Sequence, residues 1–129
     1  EGGWKSLFPY YADIAALPAE DRDFLRERVI DRVTSPAQEH SYFSTLRSML
    51  GVWCFMSGRM KKRAASWPGS ISLIWGSEDR IVPRAQGKYF QTVRKDAELH
   101  VIPGAGHLPH QEQPEACARI IVDFLNSLS

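Results

Sequence analysis

Cysteine is scarce. Cys54 and Cys117 are the only two in 129 residues, too few for a disulfide framework and at no zinc or redox spacing, so a reducing, cytoplasmic setting is expected. Long apolar runs are missing too: none approaches the roughly 20 residues that span a bilayer, and no charged-then-apolar leader opens the chain. Neither sign of charge prevails, with 16 basic residues against 15 acidic and a net charge of +1. That balance removes the concentrated basic surplus of a nucleic-acid binder. Internal repeats and low-complexity segments are absent as well. The first residue is Glu1 rather than a methionine, and the expectation is a processed or truncated piece of something longer. What is present is 43% hydrophobic and 24% charged residues, which excludes a disordered chain and suits one modest core.

Residues 1 to about 66 carry helix signals and almost no strand signals. Gly2, Gly3 and Pro9 make the opening loop-like, with a short turn around Tyr10 to Ala16. Pro18 suits a first helical position, having no N–H to leave unpaired. Glu20, Asp21 and Asp23 set negative charge at the positive end of the helix dipole, and Phe24, Leu25, Val29, Ile30 and Val33 follow at helical spacing, predicting a helix over about 18–33. Ser35 is a plausible N-cap for a second helix over about 36–50, with Gly51 near its end, and a third is expected over about 52–65. Its closing Arg59, Lys61, Lys62 and Arg63 suit a solvated helix C-terminus better than an anion site.

From Trp67 the pattern changes. Pro68-Gly69 is a turn, and Ile71 to Trp75 is a short apolar run stopped by Gly76, the signature of a buried strand. A helix is expected over about 84–94, a second strand over Glu98 to Ile102, and a final amphipathic helix from Pro114 with Ala118, Ile121, Val122, Leu125 and Leu128 inward. Strand, helix, strand, helix implies a parallel pair with a right-handed crossover. Reactive groups in such sheets collect beyond the carboxyl ends of the strands. One strand runs into Gly76-Ser77-Glu78-Asp79-Arg80-Ile81-Val82-Pro83, the other into Pro103-Gly104-Ala105-Gly106-His107-Leu108-Pro109-His110. Adjacent parallel strands bring Asp79 and His107 to one sheet edge, where a carboxylate can fix the tautomer of an imidazole and stabilise its charged form.

Those two segments resemble the acid-bearing and histidine-bearing segments of α/β-hydrolases, in the family's order and with its intervening helix. The likeness is strong over residues 67–129, and 1–66 resemble loosely the helical cap or lid that such enzymes insert before these strands. The fold class implied is α/β: the C-terminal portion of an α/β-hydrolase fold, two parallel strands with crossover and terminal helices, preceded by a helical cap. The resemblance makes Asp79 the triad acid, with Glu78 as a competing neighbour, and His107 the general base. His110 would line the loop, His100 would sit half-exposed in a strand, and His40 has no partner in sight.

His107, His110 and Glu112 are three possible metal ligands close together, but they lie in a Gly- and Pro-rich loop rather than one turn apart on a helix, so neither metal nor cofactor is expected. Met49, Trp53, Met56 and Met60 form a single stripe, with Tyr42, Phe43 and Phe55 nearby. Such a stripe either packs the cap onto the sheet or forms an adaptable apolar wall; in the second case Trp53, Met56 and Met60 bind a small apolar, ester-like substrate. The departure from the family is the nucleophile. No Gly-x-Ser-x-Gly elbow and no His-Gly-Gly oxyanion loop occurs, so a missing upstream segment or a complementing subunit is the expected partner, bearing a serine or an aspartate nucleophile, and the chain alone is expected to be inactive. The competing reading is a non-catalytic interaction or scaffold protein that keeps this ending without a working site.

Overall fold

The computed structural model describes residues 2–128, leaving aside the side chains of 2, 3, 32, 33, 39 and 50–57. Its elements, in chain order, are α1 (Gly2–Lys5), single 3-10 turns at Phe8–Tyr10 and Ile14–Ala16, α2 (Ala19–Thr34), α3 (Pro36–Ala65), β1 (Ser72–Gly76), α4 (Ala85–Val93), β2 (Glu98–Ile102), α5 (Pro109–Glu112) and α6 (Pro114–Ser127). The strands pair in parallel, with Ser72 opposite Glu98 and Gly76 opposite Ile102.

The helical half follows its local signals with two corrections, the first being that the opening expected to be loop-like forms α1 over Gly2–Lys5 and a 3-10 turn over Phe8–Tyr10. Pro18 stands at the N-cap of α2, with Glu20 and Asp21 in the first turn. Ser35 caps α3, its hydroxyl accepting from Gln38 N at 3.5 Å. The two helices expected over 36–50 and 52–65 are a single helix of 30 residues. Glycine inside a helix costs only about 1 kcal/mol relative to alanine; without a proline or a competing cap beside it, Gly51 does not break the run. Among the described residues no helix is long and apolar enough to cross a membrane.

The sheet half is organised around Ile102, Ala105 and Cys117, all buried, with Ile74, Ala116 and Ile120 packed against them. Burial raises the pKa of the Cys117 thiol and so keeps it protonated. A correction falls on α6. Of the expected inward residues, Ile121, Val122, Leu125 and Leu128 are 48–56% exposed and Ala118 is exposed as well, while Cys117 is buried and Ala116, Ile120 and Phe124 are partly so. The apolar stripe is broader than the narrow sheet beneath it, so a two-stranded sheet covers only one flank and leaves the other outward.

Arg94 fastens the two halves. It is only 6% exposed, and its guanidinium donates to the carbonyl oxygens of Ala64, Trp67 and Gly69 at 3.1, 2.7 and 2.8 Å. The remaining N–H groups reach the Asp96 carboxylate. Every donor of a buried, permanently charged group thus meets an acceptor, which is the condition for burying it. The bonds join the end of α3 and the 67–69 turn to the α4–β2 connection.

Candidate active site

Both strands end in loops held against each other by backbone. Ser77 N donates to Ile102 O at 3.0 Å and Glu78 N to Ala105 O at 2.9 Å. Gly104 N donates back to Ser77 Oγ at 2.8 Å. The approach is so close that a Cβ on Gly76 would stand 2.0 Å from Gly106 O and 2.3 Å from Ala105 O. Only glycine fits there, so the residue that ends β1 also permits the acid loop and the histidine loop to touch.

Asp79 and His107 meet across that contact. Asp79 Oδ2 lies 2.9 Å from His107 Nδ1, and Asp79 Oδ1 accepts from Ile81 N and Val82 N, each at 2.8 Å. Burial by itself would raise the Asp79 pKa; the hydrogen bonds from His107, Val82 and Ile81 and the attraction of the imidazole outweigh it and hold the carboxyl below its ordinary value. An ionised carboxylate only accepts hydrogen bonds, so Nδ1 carries the proton, and in the neutral ring Nε2 keeps its lone pair. Among the described residues Nε2 has no hydrogen-bond partner. The Asp79 side chain is 6% exposed and the His107 side chain 29%: the acid is sheltered and the base is open to a reactant.

The other candidates separate from this pair. Glu78 is exposed and its carboxylate accepts from the Ser77 hydroxyl at 3.3 Å, while Asp79 is the carboxylate at the imidazole. His110 is exposed on α5, His100 faces the exposed Glu98 with 3.2 Å between Nε2 and Oε2, and His40 is exposed on α3. Among the described residues no group of three His, Cys, Asp or Glu side chains is placed to hold a metal ion. Both Glu112 oxygens are taken by backbone amides, Gly106 N at 2.6 Å and Ala12 N at 2.7 Å.

Met60 lines an apolar groove of about 890 Å³ with Ala64, Leu73, Trp75, Tyr89 and Phe90, whose lining includes neither Asp79 nor His107. The structure therefore does not bring Met60 to the acid–base pair. Trp53 and Met56 lie on α3 with side chains outside what is described.

Sequence reasoning missed the segment that lies against the histidine loop. His107 N donates to Tyr10 O at 2.8 Å, the Tyr10 and His107 rings are 5.7 Å apart between centroids, and the buried Tyr11 donates its hydroxyl to Gln111 Oε1 at 2.6 Å. Burial, then the nearby Glu112 and Asp21 carboxylates, raise the Tyr11 pKa, so it remains a donor. A contact across 100 residues leaves no periodic trace; the one available signal was Tyr10-Tyr11, two aromatics inside a loop.

A model of the alpha/beta hydrolase family matches residues 2–120. The 2-hydroxy-6-oxononadienedioate/2-hydroxy-6-oxononatrienedioate hydrolase of Comamonas testosteroni is 41% identical over 136 aligned positions, which cover 95% of this chain and 46% of that protein. The uncharacterized hydrolase YugF of Bacillus subtilis (strain 168) is 28% identical over 106 positions, 81% of this chain and 38% of its own length. The 2-hydroxy-6-oxo-6-phenylhexa-2,4-dienoate hydrolase of Burkholderia cepacia is 41% identical over 53 positions, 41% of this chain and 18% of that protein. The chain spans less than half the length of each of these relatives.

Proposed function

This chain belongs to the alpha/beta hydrolase family, and on that premise we propose that it supplies the acid and the general base of a hydrolase whose nucleophile is carried outside these 129 residues. The observation that carries the reading is the 2.9 Å contact between Asp79 Oδ2 and His107 Nδ1. With Nδ1–H bound to the carboxylate, Nε2 takes the proton of an attacking hydroxyl or water. Asp79 stabilises the imidazolium that forms, and His107 then returns the proton to the leaving group. The missing elbow motif and the coverage of less than half of each relative support a nucleophile on an upstream segment or a complementing chain, of serine type by the family's commonest chemistry. The helices of residues 1–66 act as the lid over the strand ends.

Relatives named for 2-hydroxy-6-oxo dienoates point to an unsaturated oxo acid as substrate, in place of the ester-like compound that the sequence alone suggested. The chain by itself is expected to be inert, and the protein joined to the nucleophile-bearing segment to be active. The test mixes the two and follows both labelling by a fluorophosphonate probe and loss of the conjugated absorbance of a 2-hydroxy-6-oxo dienoate. Labelling and turnover that vanish in His107→Ala support the proposal. Turnover that survives His107→Ala, or no labelling and no turnover from a well-folded combined protein, would sink it and favour a non-catalytic interaction protein.

A further inference from the structure

Glu112 is half-buried and makes two bonds of one kind. Its Oε1 accepts from Gly106 N at 2.6 Å and its Oε2 from Ala12 N at 2.7 Å. The first amide precedes His107, and the second follows the Tyr10–Tyr11 pair, whose Tyr10 carbonyl accepts from His107 N at 2.8 Å. The two successive amides on either side of the Gly106 Cα are therefore held, that of Gly106 by a carboxylate and that of His107 by a carbonyl. The grip is tight: a Cβ on Gly106 would stand 2.5 Å from Ala12 N and 2.7 Å from the Tyr11 carbonyl carbon.

We propose that Glu112 is a positioning residue for the His107 imidazole, locking the histidine loop onto residues 10–12 so that Nδ1 stays on Asp79. The assignment rests on the base role proposed above. Gly106 has no side chain to restrict its torsions, so something else must set the direction in which the next residue projects. Two N–H donors converge on one side chain, and a carboxylate offers each an accepting oxygen. Glutamine does not serve, because its NH₂ would face one of those donors. Bonds to a charged acceptor are also the shorter and stronger kind, in line with the 2.6 and 2.7 Å distances. The same lock sets the Tyr10 ring beside the imidazole at an interplanar angle of 58°.

The experiment is NMR on the isotopically labelled chain. The unaltered protein should show scalar coupling across the hydrogen bond between the Gly106 amide nitrogen and the Glu112 carboxyl carbon, together with a downfield Nδ1–H signal from His107. In Glu112→Gln, exchange of the Gly106 or Ala12 amide should accelerate about tenfold, and the Nδ1–H signal should broaden or vanish. Glu115→Gln, on the exposed first turn of α6, should leave both unchanged. If Glu112→Gln fails to fold, Glu112→Asp gives the same test: its shorter carboxylate cannot reach both amides, so exchange of one of them should accelerate and the Nδ1–H signal should broaden. Absence of the coupling overturns the proposal, as does an Nδ1–H signal that persists unchanged in folded Glu112→Gln or Glu112→Asp. None of these readouts involves turnover, so failure of the enzymatic reading, seen in probe labelling, is distinguishable from failure of this one.

Discussion

The strand-end loops and the long helices are built on opposite terms. Around Asp79 and His107, four stretches of chain (residues 10–12, 76–82, 103–107 and 111–113) bond to one another through backbone amides and carbonyls and through the Glu112 and Gln113 side chains, and Gly76 and Gly106 leave no room for a methyl group. Along α2 and α3 the described side chains include Phe24, Ile30, Tyr42, Phe43, Leu46, Met49 and Met60, all of them exposed, while Val29 is buried. Helices satisfy their own backbone and need a partner only for their apolar face; loops must find every backbone partner elsewhere. The loops that carry the site are thus tied to one another, whereas the helical segment displays apolar surface of the kind that marks contact with other protein or with ligand.

The widest gap between the regions should appear in catalysis. In the combined hydrolase, His107→Ala is expected to lower kcat about a thousandfold or more, with little change in melting temperature because the imidazole is partly open. Asp79→Asn should cost a similar factor, since an amide no longer holds the proton on Nδ1 and the other tautomer takes over. Steady-state kinetics with matched circular-dichroism melts would check both. Comparable losses from Ile30→Ser on α2 would erase the contrast.

Next in size is the backbone contact. Gly76→Ala places a methyl group 2.0 Å from Gly106 O, and neither backbone can withdraw without breaking the Ser77 and Glu78 amide bonds. A loss of about 3 kcal/mol in urea unfolding is expected. Arg94→Met comes after it: three carbonyls and the Asp96 carboxylate lose their donor, so the melting temperature should fall by several degrees. Ile30→Ser, at an exposed helical position, should change stability by no more than about 0.5 kcal/mol.

How much was legible in the sequence divides along the same line. Ser35 as a cap, the start of α2 at Pro18 to within one residue, both strands to within one residue, and the meeting of Asp79 with His107 followed from local punctuation and from the rule for parallel strand ends. The inward face of α6 did not. Its hydrophobic stripe carries Ile121, Val122, Leu125 and Leu128, which are larger than the buried Ala116 and Cys117; hydrophobicity alone favours the wrong flank, and only the width of the sheet decides. Gly51 signals an interruption that α3 does not make, because its cost is small against a helix of 30 residues. The contacts of Tyr10 and Tyr11 with the histidine loop, and that of Glu112 with Ala12, were illegible because each joins residues near opposite ends of the chain.

The smallest expected effect is electrostatic, and its sign is fixed. Hydrogen bonding from Arg94 holds the Asp96 carboxyl at about 2, against an ordinary 3.8. A carboxyl more acidic when folded than when unfolded stabilises the fold fully above 3.8 and loses that contribution as the pH falls through its folded value. The Asp96 side chain is 61% exposed, so water and salt screen the pair and the contribution is slight. Asp79 shifts in the same direction behind a sheltered side chain, so it should account for the larger share of any acid destabilisation. Urea midpoints measured at pH 5 and pH 2.5 in low and high salt would separate them: Asp96→Asn should flatten the acid limb only slightly and mostly at low salt, and Asp79→Asn more, with less dependence on salt. A salt-sensitive limb that disappears with Asp96 alone would instead place the stronger electrostatic coupling at the junction between the halves.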